Sequence, residues 1–192
     1  AKYIAFGGAR GGGKSWAVRT KAILLALGYA GIRLLIVRRT YQELESNHIR
    51  ILRPQLAQVA EYKATTRTFT FLNGSTLEFG YCASDGDMDR YQGAEYDVIF
   101  LDECTQLREQ WMRQFAACLR GVNDFPKRIY YTCNPGGPGH SYIKRLFIDR
   151  RFEPGENPDD YVFIPARVTD NKALLAAQPD YLKQLEALPR RL

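Results

Sequence analysis

Short apolar runs alternate along the chain with longer segments in which apolar residues recur near the helical period of 3.6. The runs predict buried strands at residues 3–6, 32–37, 98–101, 127–132 and 161–164. The periodic segments predict helices at residues 14–27, 41–59, 106–119 and 140–147, with a last helix from Pro179. Strands that alternate with helices in this way favour an α/β fold, in which helices sandwich a mainly parallel sheet.

One stretch departs from this alternation. Residues 68–72 and 76–79 flank Asn73-Gly74, which is the strongest short signal for a tight hairpin turn. We therefore predict an antiparallel hairpin that is inserted in the sheet or lies at its edge. Pro54 falls within the predicted helix at 41–59 and is expected to kink or split it, because proline lacks the N–H that an interior helical residue donates.

Composition sets broad limits on function. The 192 residues fit one domain of ordinary size, or one domain with a small appendage, and 45% hydrophobic residues can bury a full core. The net charge of +6 suits a partner that carries phosphates, but a solvated basic surface explains it equally well. The four cysteines are widely spaced and the two histidines lack metal-ligand spacing, so we predict reduced thiols and no zinc site. No apolar run is long enough to span a membrane.

The most informative motif follows the first predicted strand. Residues 8–15 read GARGGGKS, which fits the phosphate-binding pattern G-x-x-x-x-G-K-S between a strand and a helix. Glycines let backbone N–H groups face phosphate oxygens, and the helix N-terminus adds further donors. Lys14 can then reach the β- and γ-phosphates, and the Ser15 hydroxyl can ligate Mg²⁺. The predicted nucleotide-binding residues are Gly8, Ala9, Arg10, Gly11, Gly12, Gly13, Lys14, Ser15 and Trp16.

Polar side chains follow two later strands at the same predicted edge of the sheet. Asp102 and Glu103 come directly after the run at 98–101. Asp102 is placed to hold Mg²⁺ through its water shell, and Glu103 to orient or deprotonate the water that attacks the γ-phosphate. Thr132 and Asn134 end the next strand and are predicted to sense the γ-phosphate and relay its state.

Three further stretches have roles that are open or purely structural. Arg38 and Arg39 end the strand at 32–37, where they contact phosphate or DNA, or only cap the strand in solvent. Residues 84–90 are acidic and rich in turn formers, but they lack the spacing of a calcium-binding loop. We predict a polar surface loop there. Residues 149–160 are rich in Pro, Gly, Asp, Asn and Arg, which predicts a linker or a subdomain boundary.

With these elements placed, the chain resembles the ATPase domain of the large terminase subunit of tailed bacteriophages. The resemblance covers almost the whole chain and rests on GGARGGGKS, YQGAEYDVIFLDECTQL, TCNPGGPGHSYIKRLF, FIPARVTDN and PDYLKQLEALP. It implies a P-loop NTPase fold of the ASCE, or RecA-like, type. Residues 1–148 would form the ATPase core, and residues 149–192 a linker and small lid subdomain. It also implies hydrolysis of ATP with Mg²⁺ to translocate double-stranded DNA into procapsids.

The family further implies partners and residue roles. Its members assemble as homo-oligomeric rings with a portal protein and a small terminase subunit, in the cytoplasm of the bacterial host; a monomer is the alternative for the isolated chain. Carried over by motif, residues 8–15 are Walker A, and Asp102 and Glu103 are Walker B with its catalytic glutamate. Residues 132–135 are the coupling motif. Arg10 matches a basic residue of these loops that acts in cis on the phosphates.

The sequence departs from the family pattern in two places. Many relatives carry an arginine directly before the glycine that precedes the Walker B strand, whereas Gln92 stands there and Arg90 lies two residues earlier. Arg90 is therefore either a trans-acting arginine finger or a surface arginine. The family's adenine-contacting segment lies upstream of the first strand, and its nuclease acids would follow Leu192. Both termini look cut from a longer protein, and no nuclease activity is expected here.

Rival functions share parts of this pattern. A helicase-type nucleic-acid translocase also carries Asp-Glu and Thr-x-Asn at strand ends. A nucleotide kinase would need an acceptor site and an arginine-rich lid, for which the sequence gives no evidence. The non-enzymatic alternative is a nucleotide-dependent module that binds DNA or protein with little turnover.

Overall fold

The computed structural model describes residues 1–8 and 11–180. The strands are β1 (Tyr3–Gly8), β2 (Arg33–Arg38), β3 (Ala60–Lys63), β4 (Thr68–Phe71), β5 (Thr76–Tyr81), β6 (Val98–Leu101), β7 (Arg128–Cys133) and β8 (Tyr161–Ala166). The helices are α1 (Lys14–Gly28), α2 (Tyr41–Leu44), α3 (Arg50–Leu56), α4 (Glu109–Ala117), α5 (His140–Ile143) and α6 (Lys172–Ala177). A π-helical turn, Glu45–Ile49, joins α2 to α3, and a second, Lys144–Ile148, extends α5.

These strands form one sheet in the order β3-β4-β5-β2-β6-β7-β1-β8. Within the described residues only β4 runs antiparallel to its neighbours, and every other pairing is parallel. This confirms the predicted α/β class with a mainly parallel sheet. The order places the carboxyl ends of β1, β2, β6 and β7 at one edge, which is where open α/β sheets bind ligands.

The two faces of the sheet bury separate sets of apolar side chains. On one face Leu34 and Ile36 pack with Val18 and the rest of the inner stripe of α1. On the other face Leu35 and Val37 pack with the stripe of α4 that contains Phe115. The alternation along β2 follows from the two-residue period of a strand, and burial on both faces explains its unbroken apolar run.

The predicted hairpin is present, with β4 and β5 antiparallel around a turn in which Gly74 has a φ of 81°. Asn73 Nδ2 donates to the Ala26 carbonyl at 2.7 Å, which fastens the turn to the end of α1. β5 also pairs in parallel with β2, and β3, which the sequence did not predict, adds an outer strand. The hairpin is therefore continuous with the sheet.

Several predicted helix boundaries were wrong. The helix predicted at 41–59 ends at Leu56, and it passes through Pro54 without being split. Its irregular part is the π-helical turn at residues 45–49, where Asn47 Nδ2 and Ser46 Oγ donate to backbone carbonyls one turn earlier. Such bonds compete with the regular helical pattern. The helix predicted at 106–119 is the shorter α4, preceded by a single 3₁₀ turn at Cys104–Gln106.

The remaining differences lie in connecting segments. Residues 84–90, predicted as a surface loop, contain most of a 3₁₀ helix, Asp85–Tyr91, that buries Met88 and Tyr91. β8 pairs with β1 although it falls within the segment 149–192, so the division of the chain at residue 148 stays a prediction. The helix predicted from Pro179 lies almost entirely outside the described residues, whereas α6 was not predicted.

Candidate active site

The glycine-rich loop connects β1 to α1. Gly8 ends β1 with a φ of 135°, and a Cβ there would lie 2.4 Å from the Ala166 carbonyl oxygen, so only glycine fits. Gly13 has a φ of 73° and caps the N-terminus of α1, which begins at Lys14. The predicted roles of Ala9 and Arg10 remain predictions, because both lie outside the described residues.

The loop forms one wall of a cleft of about 560 Å³. The cleft brings together most of the predicted site residues that the structure describes: Gly11, Gly12, Gly13, Lys14, Ser15, Trp16, Glu103 and Asn134. Gln106, Asn171 and Leu174 also line it, although the sequence did not single them out. Trp16 is 65% exposed at the rim of the cleft.

Lys14 is largely buried among groups that carry or can acquire negative charge. Its residue is 8% exposed, and burial lowers the pKa of the ammonium group, opposed by the charges of Cys133, Glu103 and Asp102. An ammonium group that is partly withdrawn from water attracts phosphate more strongly than one on an open surface. The position of Lys14 therefore fits the predicted contact with a nucleoside triphosphate.

Asp102 is the hub of the site and is 1% exposed. Its Oδ2 accepts hydrogen bonds from Ser15 Oγ at 3.2 Å and from His48 Nε2 at 2.8 Å. Arg38 Nε lies 3.2 Å from the same oxygen as a charge contact rather than an aligned hydrogen bond. Burial raises the pKa of Asp102, but the His48 hydrogen bond and the nearby positive charge outweigh it and lower the pKa to about 2. Asp102 is therefore ionised at neutral pH.

Glu103 is held by an ion pair and by its backbone. Arg38 Nη2 lies 2.8 Å from Glu103 Oε1, and the Glu103 side chain is 38% exposed. Its φ of 53° is unusual for a residue other than glycine, and such strain clusters at functional sites. Arg38 itself is 4% exposed, so it is not a solvated strand cap. It joins the two acids that follow β6.

Thr132 connects the ends of β6 and β7. Its hydroxyl accepts a hydrogen bond from the Glu103 backbone N–H at 2.9 Å and donates one to Asp102 Oδ1 at 2.5 Å. Nearby, Thr105 Oγ1 donates to the Asn134 carbonyl at 3.0 Å. Asn134 Oδ1 is buried and has no hydrogen-bond partner within the described part of the chain. Because buried acceptors are nearly always paired, this oxygen is suited to a donor from bound water or ligand.

We expect Thr132→Val to lower the free energy of unfolding by about 1–3 kcal/mol, because the change leaves the Glu103 N–H and the buried Asp102 Oδ1 without their shared partner. Thr132→Ser keeps the hydroxyl and is the matched control. Urea denaturation at neutral pH measures both. Equal stability of the Val and Ser variants would show that the hydroxyl has no such role.

Arg90 is not among the described residues that line the cleft. Its Nη2 lies 2.5 Å from Asp87 Oδ1, and its guanidinium stacks 4.0 Å from the centre of the Tyr81 ring. Tyr81 ends β5, two strands away from β6 in the sheet. A role for Arg90 in a neighbouring copy therefore stays a prediction.

The arrangement defines a class of protein. A parallel sheet whose first strand opens into a G-x-x-x-x-G-K-S loop, with Asp-Glu at the end of a nearby strand, is that of a P-loop NTPase. A family model described as the N-terminal part of the terminase large subunit, T4-like virus type, matches residues 5–191. The chain belongs to this family.

Solved structures of phage large terminases share the fold. A large terminase from a thermophilic bacteriophage, in complex with ATP-γ-S, matches with a TM-score of 0.74 and 18% identity over 98% of this chain and 45% of that chain. The large terminase of bacteriophage HK97 matches with a TM-score of 0.62 and 12% identity, over 94% of this chain and 40% of that chain. The ATPase domain of the Thermus phage P74-26 large terminase matches with a TM-score of 0.61 and 14% identity, over 98% of this chain and 83% of that chain.

The chain thus spans less than half of the first two of these proteins. A search of curated proteins found no significant match. Within residues 1–8 and 11–180, no helix has both the length and the apolar character that crossing a bilayer requires.

Proposed function

We propose that this chain is the ATPase domain of a DNA-packaging motor, which hydrolyses ATP with Mg²⁺ to drive double-stranded viral DNA into procapsids. The observation that carries the proposal is that Lys14, Ser15 and Glu103 line one cleft beside a glycine-rich loop, where Ser15 donates a hydrogen bond to the buried Asp102. Membership of the terminase large-subunit family supports it.

The oxygen atoms at the start of α1 and the end of β6 fit a magnesium ion. Ser15 Oγ and Asp102 Oδ2 lie 3.2 Å apart, and hydroxyl and carboxylate oxygens are ligands that Mg²⁺ accepts. Because Asp102 Oδ2 already faces His48 and Arg38, we propose that Asp102 acts through metal-bound water while Ser15 ligates directly. Mg²⁺ held there would offset negative charge on the β- and γ-phosphates.

The remaining residues of the site would bind the phosphates and would orient and activate the attacking water. Lys14, and Arg10 in cis, would offset charge on the phosphates, and Gly8 to Trp16 would cradle them. Glu103 would orient or deprotonate the attacking water, since its carboxylate lines the cleft and Arg38 fixes its position. Thr132 bridges the backbone of Glu103 and the carboxylate of Asp102, so a shift of either strand end reaches both acids. With Asn134, it is our candidate for the element that couples the γ-phosphate to motion.

The wider setting is also a proposal. It comprises a homo-oligomeric ring, Arg90 as a finger acting on a neighbour's nucleotide, a portal protein, a small terminase subunit and the bacterial cytoplasm. Residues 149–192 would serve as linker and lid. The net charge of +6 suits a DNA partner.

Replacing Lys14 with methionine should weaken binding of a nucleoside triphosphate by about tenfold or more, since it removes a charge-assisted contact to phosphate. Isothermal titration with Mg²⁺ and ATP-γ-S measures the affinity. Lys21→Met, on the exposed side of α1, is the matched control. Equal affinity of the two variants would contradict the proposed role of Lys14.

Steady-state hydrolysis by the wild-type chain tests the proposed function as a whole. A motor domain should hydrolyse ATP faster when double-stranded DNA is added and when protein concentration is raised, because a neighbouring copy completes the site. A module that only binds DNA or protein in response to nucleotide should show neither increase. The assay therefore separates the motor from its non-enzymatic alternative.

A further inference from the structure

Asn171 joins two parts of the chain that are 160 residues apart. Its Nδ2 donates a hydrogen bond to the Gly11 carbonyl oxygen at 2.7 Å. Its Oδ1 accepts one from the Leu174 N–H at 3.2 Å, which makes Asn171 the N-cap of α6. A carbonyl oxygen can only accept and an N–H can only donate, so these two neighbours settle the orientation of the amide.

The contact restrains a loop that is rich in glycine. Gly11 and Gly13 have φ values of 77° and 73°, and glycine rotates between backbone conformations at small cost. In a planar trans peptide the C=O and the following N–H point in opposite directions. Holding the Gly11 carbonyl therefore fixes the direction of the Gly12 N–H, which points away from Asn171.

We propose that Asn171 is a positioning residue for the triphosphate: it holds the peptide between Gly11 and Gly12 so that the Gly12 N–H is oriented in advance for a phosphate oxygen. The proposal rests on the proposed function, because it assigns a phosphate to the cleft. Asn171 and Leu174 both line that cleft, so the start of α6 forms part of the wall of the cleft and also restrains the glycine-rich loop. Phosphate binding and the seating of α6 then strengthen each other, as linked equilibria must.

Three substitutions separate the restraint from the helix cap. Asn171→Asp keeps an oxygen that can cap α6 but has no donor for Gly11. Asn171→Ser also keeps a capping oxygen, but its hydroxyl lies on a side chain one bond shorter and loses the reach to the Gly11 carbonyl. Asn171→Ala removes both the cap and the donor. We expect Asn171→Ser to weaken Mg²⁺ and ATP-γ-S binding by about threefold to tenfold, the scale of one net hydrogen bond. Asn171→Asp should weaken it at least as much. Asn157→Ser is the matched control, because Asn157 caps the turn at Pro158–Asp160 in the same way but bonds to Asp159 rather than to the loop.

The NMR order parameter of the Gly12 N–H without nucleotide provides a second measurement, because it reports how tightly the direction of that bond is held. In ¹⁵N-labelled protein, Asn171→Ser should lower the order parameter of the Gly12 N–H while amides within α6 stay near wild-type values. An unchanged Gly12 order parameter, or Asn171→Ser affinity within twofold of wild type, would overturn the proposal. Weaker binding in Asn171→Asp alone would show only charge repulsion and would also overturn it.

The two measurements keep this inference distinct from the proposed function. A wild-type chain that bound no nucleotide would refute the proposed function, and with it the assignment of a phosphate to the cleft. A wild-type chain that bound nucleotide with an affinity indifferent to Asn171→Ser would refute the positioning role and leave the proposed function standing.

Discussion

Replacing Glu103 with glutamine is expected to leave nucleotide affinity near that of wild type and to lower turnover by on the order of a hundredfold or more, the scale of a lost general base. Glutamine has nearly the same shape, and its amide oxygen can still accept from Arg38. It cannot take a proton from water. Isothermal titration with ATP-γ-S and steady-state release of phosphate measure the two effects separately.

Glu61→Gln provides the control, because Glu61 is exposed on β3 at the outer edge of the sheet. It makes the same chemical change away from the cleft and should alter neither quantity. If Glu103→Gln hydrolysed ATP at the wild-type rate, Glu103 would not be the base. If Glu103→Gln lost nucleotide binding instead, Glu103 would act in binding the nucleotide rather than in activating the attacking water.

The sequence predicted those parts of the site whose signals are local. Residues 8–15 form a contiguous motif, and Asp102, Glu103 and Thr132 each follow an apolar run. Because parallel strands end at a common edge, the positions in the chain were enough to predict that these residues meet. The same logic identified Arg38 at the end of β2, but its role depended on which strand lies next to β2.

The rest of the site depends on tertiary contacts that no local pattern reports. His48 reaches Asp102 from 54 residues away, and it is carried there by a π-helical turn whose sequence resembles an ordinary helix. Asn171 lies in the motif FIPARVTDN, which supported the family resemblance but gave no indication of a bond to Gly11. β3 was missed for a similar reason, since its four residues carry weak periodicity and gain their pairing from β4.

Asp102→Asn should reduce turnover by on the order of a hundredfold and also destabilise the fold, because Asp102 is an electrostatic hub as well as a candidate metal partner. The amide removes the negative charge that Arg38 and His48 face in a buried site. Breaking a buried ion pair by neutralising one partner costs about 3 kcal/mol. Urea denaturation at pH 7 measures the loss, and Asp159→Asn, an exposed position, should leave stability unchanged.

The pH dependence of this loss tests its cause. The folded-state pKa of Asp102 is lowered to about 2, below the unfolded value of about 3.9, so the ionised carboxylate stabilises the fold above about pH 4. That contribution declines as the pH falls towards 2. The stability difference between wild type and Asp102→Asn should therefore be smaller at pH 3 than at pH 5. A difference of the same size at pH 3 and at pH 5 would show that the loss of the Asp102 charge is not its cause.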